Sequence, residues 1–138
     1  MAKHILVVDD DVGMLQLIEI VLRRQRYEVT KAMDGQQALQ LLDEMTPDLC
    51  ILDVMMPNMD GFELCRRLRS REDTRHTPIL ILSARGDSSS VRLGLDAGAN
   101  AYVPKSTLVS GLTTELSRLL NSNGYSGALR SAHSAASP

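Results

Sequence analysis

The feature that most restricts the fold of this chain is the alternation of short strand-like runs with longer segments of helical period. Strands are predicted over residues 5–8, 27–32, 49–52, 78–82 and 101–103. Helices are predicted after Asp11 and then over 35–45, 61–70, 87–97 and 107–121. Strict alternation of this kind predicts an α/β fold, with a doubly wound parallel sheet, helices on both faces and right-handed crossovers.

Polar and apolar residues also predict where the first two helices begin and which side each one buries. The carboxylate of Asp11 can accept hydrogen bonds from the free N–H groups at the start of the first helix, and we predict it as a cap. The predicted buried faces are Val12, Leu15, Ile18 and Leu22 in the first helix, and Ala38, Leu39, Leu41 and Leu42 in the second.

The length and composition of the chain indicate one domain and a tail. A chain of 138 residues can form a domain that buries about two-thirds of its unfolded surface. We expect residues 1–121 to form this domain, and residues 122–138, rich in Ser, Ala and Gly, to be a flexible tail or linker.

The same numbers argue against several classes of protein. A formal net charge of -2 disfavours generic binding to nucleic acid or to an anionic membrane. The sequence contains nothing near the roughly 18 continuous apolar residues that cross a bilayer, and its first residues lack the layout of a signal peptide. Cys50 and Cys65 are expected to be free core thiols. We therefore expect a cytoplasmic protein that contacts neither a membrane nor nucleic acid directly.

Polar side chains follow four of the five predicted strands. Asp9 and Asp10 follow the first strand, and Asp53 ends the third. Ser83 follows the fourth strand and Lys105 the fifth. In an open parallel sheet, ligands bind beyond the carboxyl ends of the strands, where the strand order reverses. We therefore expect these five side chains to share one site.

The chemistry of this set predicts a cation and a phosphoryl group. Converging carboxylates need a cation, and Mg²⁺ (or Mn²⁺) prefers oxygen ligands that it can share with a phosphate. Asp10 and Asp53 could bind it directly, Asp9 through water, and Met55 through its backbone carbonyl. The metal, the ammonium and the hydroxyl would stabilise charge on a transferring phosphoryl group. The set predicts Asp53 as a nucleophile that forms an acyl phosphate.

Five segments carry a resemblance to a known family. They are 7–11 (VVDDD), 52–61 (LDVMMPNMDG), 82–84 (LSA), 98–99 (GA) and 102–105 (YVPK). With these segments in combination, the chain resembles the receiver domain of a two-component response regulator from about residue 3 to residue 121. The resemblance implies a flavodoxin-like sheet of five strands in the order 2-1-3-4-5.

The resemblance also implies a phosphorylation-controlled signalling module. Asp53 would accept a phosphoryl group from the phosphohistidine of a histidine kinase or phosphotransfer domain, with Mg²⁺ required. Ser83 and Tyr102 match the family's switch pair, in which the hydroxyl moves to the phosphoryl group and the ring swings inward. This movement would reshape the face formed by helix 4, strand 5 and helix 5. The face would then bind an effector protein, a missing output domain or a second copy of the chain.

The chain departs from the family pattern in two places. Ser106 follows Lys105 where most receivers have a proline after a cis bond, so we predict a trans bond here. Asn100 and Ala101 replace the acidic pair usual in the winged-helix transcription-factor branch, and the fifth predicted helix carries few arginines, which argues against the charged dimer interface of that branch. Met55 and Arg85 would flank the phosphoryl group. Because methionine cannot orient a hydrolytic water, we expect slow self-dephosphorylation, over minutes or longer.

Two other classes of function also fit an aspartate at a strand end. A phosphatase of the haloacid-dehalogenase type uses such a nucleophile with Mg²⁺, but it needs a second aspartate two residues later, where this chain has Met55. A degenerate receiver that only binds partners would be expected to have lost an acidic residue, the hydroxyl or the lysine, and none is lost. We therefore expect a phospho-accepting module rather than an enzyme with sustained turnover.

Overall fold

The computed structural model describes residues 2–84 and 87–121, which build one sheet of parallel strands. The strands are His4–Val8 (β1), Glu28–Ala32 (β2), Leu49–Asp53 (β3), Ile79–Ser83 (β4) and Ala101–Pro104 (β5). Their order across the sheet is β2-β1-β3-β4-β5, and every neighbouring pair is parallel. The predicted fold class and strand order are confirmed.

Helices connect these strands along the described part of the chain. They are Val12–Arg24 (α1), Gly35–Leu42 (α2), Gly61–Ser70 (α3), Ser88–Asp96 (α4) and Leu108–Asn121 (α5). The first four begin after aspartate caps whose side chains accept backbone N–H groups, at Asp11, Asp34, Asp60 and Asp87. The cap predicted at Asp11 is thus confirmed.

The helices cover both faces of the sheet and divide its core in two. In β1, Ile5 and Val7 point into the core that includes α1 and α5. Leu6 and Val8 point into the other core, which includes residues of α2 and α3. Because both faces are covered, the central strands are buried along nearly all their length. Polar side chains from these strands can therefore reach solvent only at the strand ends.

The predicted buried faces of α1 and α2 are confirmed with one exception. Val12 is 52% exposed, although it was predicted to belong to the buried stripe. It is the first residue of α1, which begins beyond the end of β1, so its side chain has no strand to pack against. The other predicted residues are buried or pack partly buried against the core, namely Leu15, Ile18, Leu22, Ala38, Leu39, Leu41 and Leu42.

Helices α2, α4 and α5 differ at their boundaries from the sequence prediction. Helix α4 is one residue shorter at each end than the predicted 87–97, because Asp87 and Ala97 are its caps. Helix α2 ends at Leu42 rather than at residue 45, because the N–H of Asp43 turns back to carbonyls of the last turn. A 3₁₀ turn, Lys105–Thr107, precedes α5, which therefore starts one residue later than predicted. The predicted tail 122–138 and Arg85 lie outside the described residues. Within the described ranges, the helices are all too short or too polar to cross a membrane.

The amino-terminal edge of the sheet is held by Arg69 of α3. Its guanidinium donates to the carbonyls of Thr77 (2.7 Å) and Gly98 (2.9 Å) and to Asn100 Oδ1 (2.8 Å). Two further main-chain carbonyls lie within 3.3 Å. Asn100 Oδ1 also accepts from the N–H of Ile79, at the start of β4, at 2.8 Å. Arg69 therefore joins α3, the start of β4 and the turn before β5.

Both cysteines are buried and free, as predicted from the sequence. Cys50 lies in β3 and Cys65 in α3, where its thiol donates to the carbonyl of Ala97 at 3.4 Å. Burial raises the pKa of Cys50 to about 12 and the pKa of Cys65 to about 11. Since the thiolate is the reactive form, both thiols are unreactive at neutral pH.

Candidate functional site

Asp53 is the last residue of β3 and lies at the carboxyl edge of the sheet. Its strand is buried throughout, and Asp53 itself is only 5% exposed. The strand register places it opposite Leu82 of β4, one residue before Ser83. An ionised carboxylate this deeply buried needs donors or cations around it, because its desolvation is costly.

The backbone that follows Asp53 is held in place by Gly61. The N–H of Gly61 donates to the carbonyl of Val54 at 3.0 Å. A Cβ at position 61 would overlap the main-chain carbonyl oxygen of Asp53. Asp60, by contrast, only caps α3 through the N–H of Glu63. An Asp-Gly pair predicts a turn, but sequence reasoning missed that Gly61 fixes the end of β3.

Asp9 and Asp10 lie beside Asp53, where β1 ends. Asp9 is 1% exposed, and its Oδ1 accepts the N–H of Asp11 at 2.9 Å. Its Oδ2 is buried and has no hydrogen bond of good geometry among the described residues. Asp10 is exposed at the mouth of the site. Asp11 turns away and caps α1 by accepting N–H groups of Gly13 and Met14.

Lys105 brings a cation to these carboxylates from the other side. Its Nζ lies 2.9 Å from Asp53 Oδ1 and 3.2 Å from Asp9 Oδ2. Lys105 opens the 3₁₀ turn after β5, and its peptide bond to Ser106 is trans, as predicted. The ammonium of Lys105 therefore reaches Asp53 and Asp9 although Ser106, and not a proline, follows the lysine.

The charges at this edge do not balance. Burial raises the pKa of Asp53. The hydrogen bond from Lys105 and its positive charge lower this pKa, whereas the negative charges of Asp9 and Asp10 raise it, and the net shift is upward. For Lys105, burial lowers the pKa, but the hydrogen bond to Asp53 and the nearby carboxylates more than offset it, so the net shift is upward. Three carboxylates thus share a single ammonium.

The residues present fit a divalent cation. Asp9, Asp10 and Asp53 each offer a carboxylate oxygen, and these oxygens lie within 4.8 Å of one another. The buried Asp9 Oδ2, which lacks a well-directed donor, supplies a second reason to expect a positive ligand. Hard oxygen donors of this kind suit Mg²⁺ or Mn²⁺ rather than a soft metal.

The other predicted residues lie on the strands and the loop around this cluster. Ser83 is fully buried at the end of β4 and pairs in register with Pro104, which directly precedes Lys105. Tyr102 lies half-buried on β5 and packs against the core on the opposite face from α5. The side chain of Met55, two residues after Asp53, is 63% exposed.

An apolar cleft of about 600 Å³ opens next to the acidic cluster. It lies between the loop that follows β3 and helix α4. Its lining is Asp10, Val54, Met55, Met56, Pro57, Asp60, Phe62, Ser90 and Leu93. The exposed Met55, two residues after Asp53, is thus part of the lining of this cleft.

The fold and the site define a doubly wound α/β domain with a buried aspartate and a cluster of carboxylates at the carboxyl edge of its sheet. The chain belongs to the response regulator receiver domain family, which matches it over residues 5–127. It is similar to response regulator MprA of Mycolicibacterium vanbaalenii, with 44% identity over 120 residues, which cover 87% of this chain and 51% of the relative. The chain spans about half the length of the curated relatives it matches.

Solved structures agree with this assignment. A provisionally assigned response regulator from Chloroflexus aurantiacus has a TM-score of 0.84 and 39% identity, covering 88% of this chain and 99% of that one. The receiver domain of sensor histidine kinase PA1611 from Pseudomonas aeruginosa has a TM-score of 0.80 and 30% identity, covering 88% and 99%. That receiver holds a magnesium ion coordinated in its active-site cleft.

Proposed function

We propose that this chain accepts a phosphoryl group on Asp53 from the phosphohistidine of a histidine kinase or phosphotransfer domain. The observation that carries the proposal is the Lys105 ammonium between Asp53 Oδ1 and Asp9 Oδ2, at 2.9 and 3.2 Å. An ammonium in this position can follow the negative charge as it moves from the carboxylate to the phosphoryl oxygens.

The proposed reaction is a direct transfer between two nucleophiles. A carboxylate oxygen of Asp53 attacks phosphorus, and the bond from phosphorus to the imidazole nitrogen breaks. The electron pair of that bond returns to the ring, which takes up a proton, and Asp53 becomes an acyl phosphate. Lys105 and the hydroxyl of Ser83 would stabilise charge on the equatorial oxygens during this step.

The acidic cluster would hold Mg²⁺ or Mn²⁺. Asp10 and Asp53 would be direct ligands, with the Met55 backbone carbonyl as a third and Asp9 acting through a water molecule. When bound, the metal supplies positive charge that stabilises phosphoryl oxygens. The carboxylate oxygens within 4.8 Å of one another support this assignment, as does the magnesium held by the related PA1611 receiver.

Phosphorylation of Asp53 would change the positions of the Ser83 and Tyr102 side chains. The hydroxyl of Ser83 would move to the phosphoryl group, and the ring of Tyr102 would follow inward, which changes the surface of α4, β5 and α5. Ser83 lies one register position from Asp53 and the half-buried Tyr102 lies on the next strand, which supports this coupling. The altered face would bind an effector, an output domain or a second copy of the chain.

The rest of the proposal concerns the protein around this domain. Since the relatives are about twice as long, an output domain joined through residues 122–138 is a natural arrangement. The receiver itself would work in the cytoplasm, without contacting nucleic acid or a membrane. It would act as a signalling module with slow hydrolysis of the phosphoryl group, rather than as an enzyme with sustained turnover.

Phosphorylation by acetyl phosphate, with and without Mg²⁺, tests the core of the proposal. We expect Mg²⁺-dependent incorporation of one acid-stable, base-labile phosphoryl group, lost in Asp53→Asn. The matched control is Asp11→Asn, which removes a neighbouring charge but keeps the cap of α1, since asparagine caps as well as aspartate. Equal incorporation into Asp53→Asn, or incorporation that ignores Mg²⁺, would contradict the proposal.

The lifetime of the phosphoryl group tests the role assigned to Met55. We expect the wild-type acyl phosphate to last for minutes or longer, because the exposed thioether next to Asp53 cannot orient water. Met55→Asn, which supplies an amide, should shorten the lifetime, while Met33→Asn, at a second exposed methionine that follows the edge strand β2, should not. A half-life of seconds in the wild-type chain would show that Met55 does not set the rate.

A further inference from the structure

Gly94, in the middle of α4, has no conformational reason to be glycine. Its backbone is helical, and a helix interior favours alanine over glycine. A chain that keeps glycine at such a buried position gives up helix stability there. The reason must therefore be sought in what a side chain at this position would contact.

A side chain at position 94 would meet the ring of Tyr102. An ideal Cβ would lie 3.0 Å from Tyr102 Cδ2 and 3.4 Å from its Cε2. It would also lie 3.1 Å from Cδ1 of Ile81, the register partner of Tyr102 on β4. These distances are shorter than an ordinary van der Waals contact between carbon atoms, so one of these neighbours would have to give way by a few tenths of an ångström.

The two neighbours differ in their freedom to move. Ile81 is fully buried in the core, where neighbouring atoms hold it at high packing density. Tyr102 is half-buried, so fewer neighbouring atoms surround its ring than surround Ile81. The ring is therefore the neighbour that would give way to a methyl group at position 94.

We infer that Gly94 is a positioning residue for Tyr102, because the missing side chain leaves the space in which the ring rests against α4. Replacing Gly94 by alanine should drive the ring outward and bias the chain against its inward state. This rests on the proposed function in one respect, since the inward ring is there the signal of phosphorylation. The placement of the ring in the unphosphorylated chain can be measured without that assumption.

The other face of β5 offers a matched control. Gly111 of α5 is also a helical glycine in close contact with β5, and a Cβ there would lie 3.1 Å from Val103 Cγ1. Gly111→Ala therefore reproduces the crowding of a helix against the strand next to Tyr102, but it does not touch the ring. Any effect common to Gly94→Ala and Gly111→Ala reflects packing against β5 alone.

Iodide quenching of tyrosine fluorescence gives the decisive readout. The chain has three tyrosines and no tryptophan, so Tyr27→Phe with Tyr125→Phe makes Tyr102 the sole emitter. In this background, Gly94→Ala should raise the quenching constant toward that of free tyrosine, while Gly111→Ala leaves it unchanged. If Gly94→Ala leaves the constant unchanged, or if both substitutions raise it equally, Gly94 is a packing glycine and the inference is wrong.

A further variant guards against loss of the fold. Ile81→Val removes the Cδ1 atom that the new methyl group would also meet, so the ring becomes its main obstacle. If Gly94→Ala alone fails to fold, the quenching measurement is made in Gly94→Ala with Ile81→Val, with Ile81→Val alone as reference. The same rise supports the inference, and no rise overturns it.

Activation with beryllofluoride and Mg²⁺ separates this inference from the proposed function. In the wild-type reporter, the proposed switch lowers the quenching constant as the ring moves inward, and Gly94→Ala should weaken or abolish that change. Incorporation of phosphate into Asp53 from acetyl phosphate should stay at the wild-type level. The wild-type reporter could keep the same quenching constant when beryllofluoride and Mg²⁺ are added, while Gly94→Ala still raises that constant. This result would contradict the proposed switch but would still support the role of Gly94 in positioning the ring.

Discussion

Two partly or wholly buried cations lie at opposite ends of β5, and they are satisfied in different ways. Arg69, at the amino-terminal edge, donates to main-chain carbonyls and to the amide oxygen of Asn100, all of them neutral groups. Lys105, at the carboxyl edge, faces the charged oxygens of Asp53 and Asp9. Burial lowers the pKa of Arg69, whereas the carboxylates raise the pKa of Lys105.

The difference separates an edge where an arginine joins structural elements from an edge where negative charge accumulates. The guanidinium of Arg69 has acceptors for its N–H groups within the chain, so its position is well defined without a bound ligand. Around Lys105, three carboxylates share one ammonium, and Asp9 Oδ2 lacks a well-directed donor. The carboxyl edge therefore fits a further positive ligand, whereas the hydrogen bonds of Arg69 at the amino-terminal edge are made within the chain.

The largest effect on stability is expected from Arg69→Ala. Loss of its hydrogen bonds leaves part-buried carbonyls without a donor and Asn100 Oδ1 with only the N–H of Ile79, which should lower the free energy of unfolding by about 3–4 kcal/mol. Urea unfolding measures this change. Arg67→Ala is the matched control, because Arg67 is an exposed arginine of the same helix paired only with Glu63. A loss below about 1 kcal/mol for Arg69→Ala would mean that the two edges do not differ in this way.

The next largest effect is expected from Gly61→Ala at the carboxyl edge. Its Cβ would overlap the carbonyl of Asp53, so the end of β3 must shift, at a cost of about 2 kcal/mol. Gly13→Ala, whose Cβ would make only an ordinary contact with Asp11, should instead stabilise α1 by about 0.5–1 kcal/mol. Thermal unfolding compares the two. If both variants stabilise the protein, the close approach at Gly61 does not constrain Asp53.

A smaller gain in stability is expected from Asp53→Asn in metal-free buffer. A carboxyl group whose pKa is raised on folding contributes stability below its unfolded pKa and loses it as the pH rises through its folded pKa. Ionised Asp53 therefore opposes folding at pH 7, and Asp53→Asn should raise the free energy of unfolding by about 1 kcal/mol.

The pH and metal dependence of this gain distinguish it from a general effect of the substitution. The gain should vanish below the unfolded pKa of the carboxyl group, and saturating Mg²⁺ should reverse it, because the metal stabilises only the carboxylate. Asp60→Asn, at an exposed cap of α3, serves as control and should show neither response. A gain that persists in acid would show that charge at the carboxyl edge is not its cause.

The smallest effect is expected in metal affinity. Lys105→Met removes the ammonium that shares Asp53 and Asp9 with the metal, so Mg²⁺ should bind about threefold more tightly, or about 0.7 kcal/mol. Isothermal titration with Mg²⁺ alone measures it. Weaker binding in Lys105→Met would mean that the lysine organises the carboxylates instead of competing for them.

Much of the carboxyl edge could be predicted from the sequence, because the signals there are local. Asp53 and Lys105 directly follow apolar runs, and the topology of a parallel sheet brings such positions to one edge. Asp11 precedes a helical pattern, which is enough to identify a cap. The trans bond after Lys105 followed from Ser106 alone, because a cis bond there would be costly.

The parts that could not be predicted depend on contacts between distant segments. Nothing next to Arg69 indicates that its partners lie before β4 and before β5. Gly61 and Gly94 look like a turn residue and a weak helix residue until the Asp53 carbonyl and the Tyr102 ring are found against them. Val12 fits the spacing of the buried stripe, but the helix begins beyond the sheet, and a pattern carries no information about where the sheet ends.

The burial of the two cysteines has a practical consequence. Cys50 and Cys65 are the only cysteines in the sequence, and with pKa values near 12 and 11 both resist alkylation while the domain stays folded. A cysteine placed on the exposed side of α4, for example at Leu93, would then be the one thiol open to a maleimide dye. Spectroscopic labels can thus be attached to the proposed signalling face without first removing the native thiols.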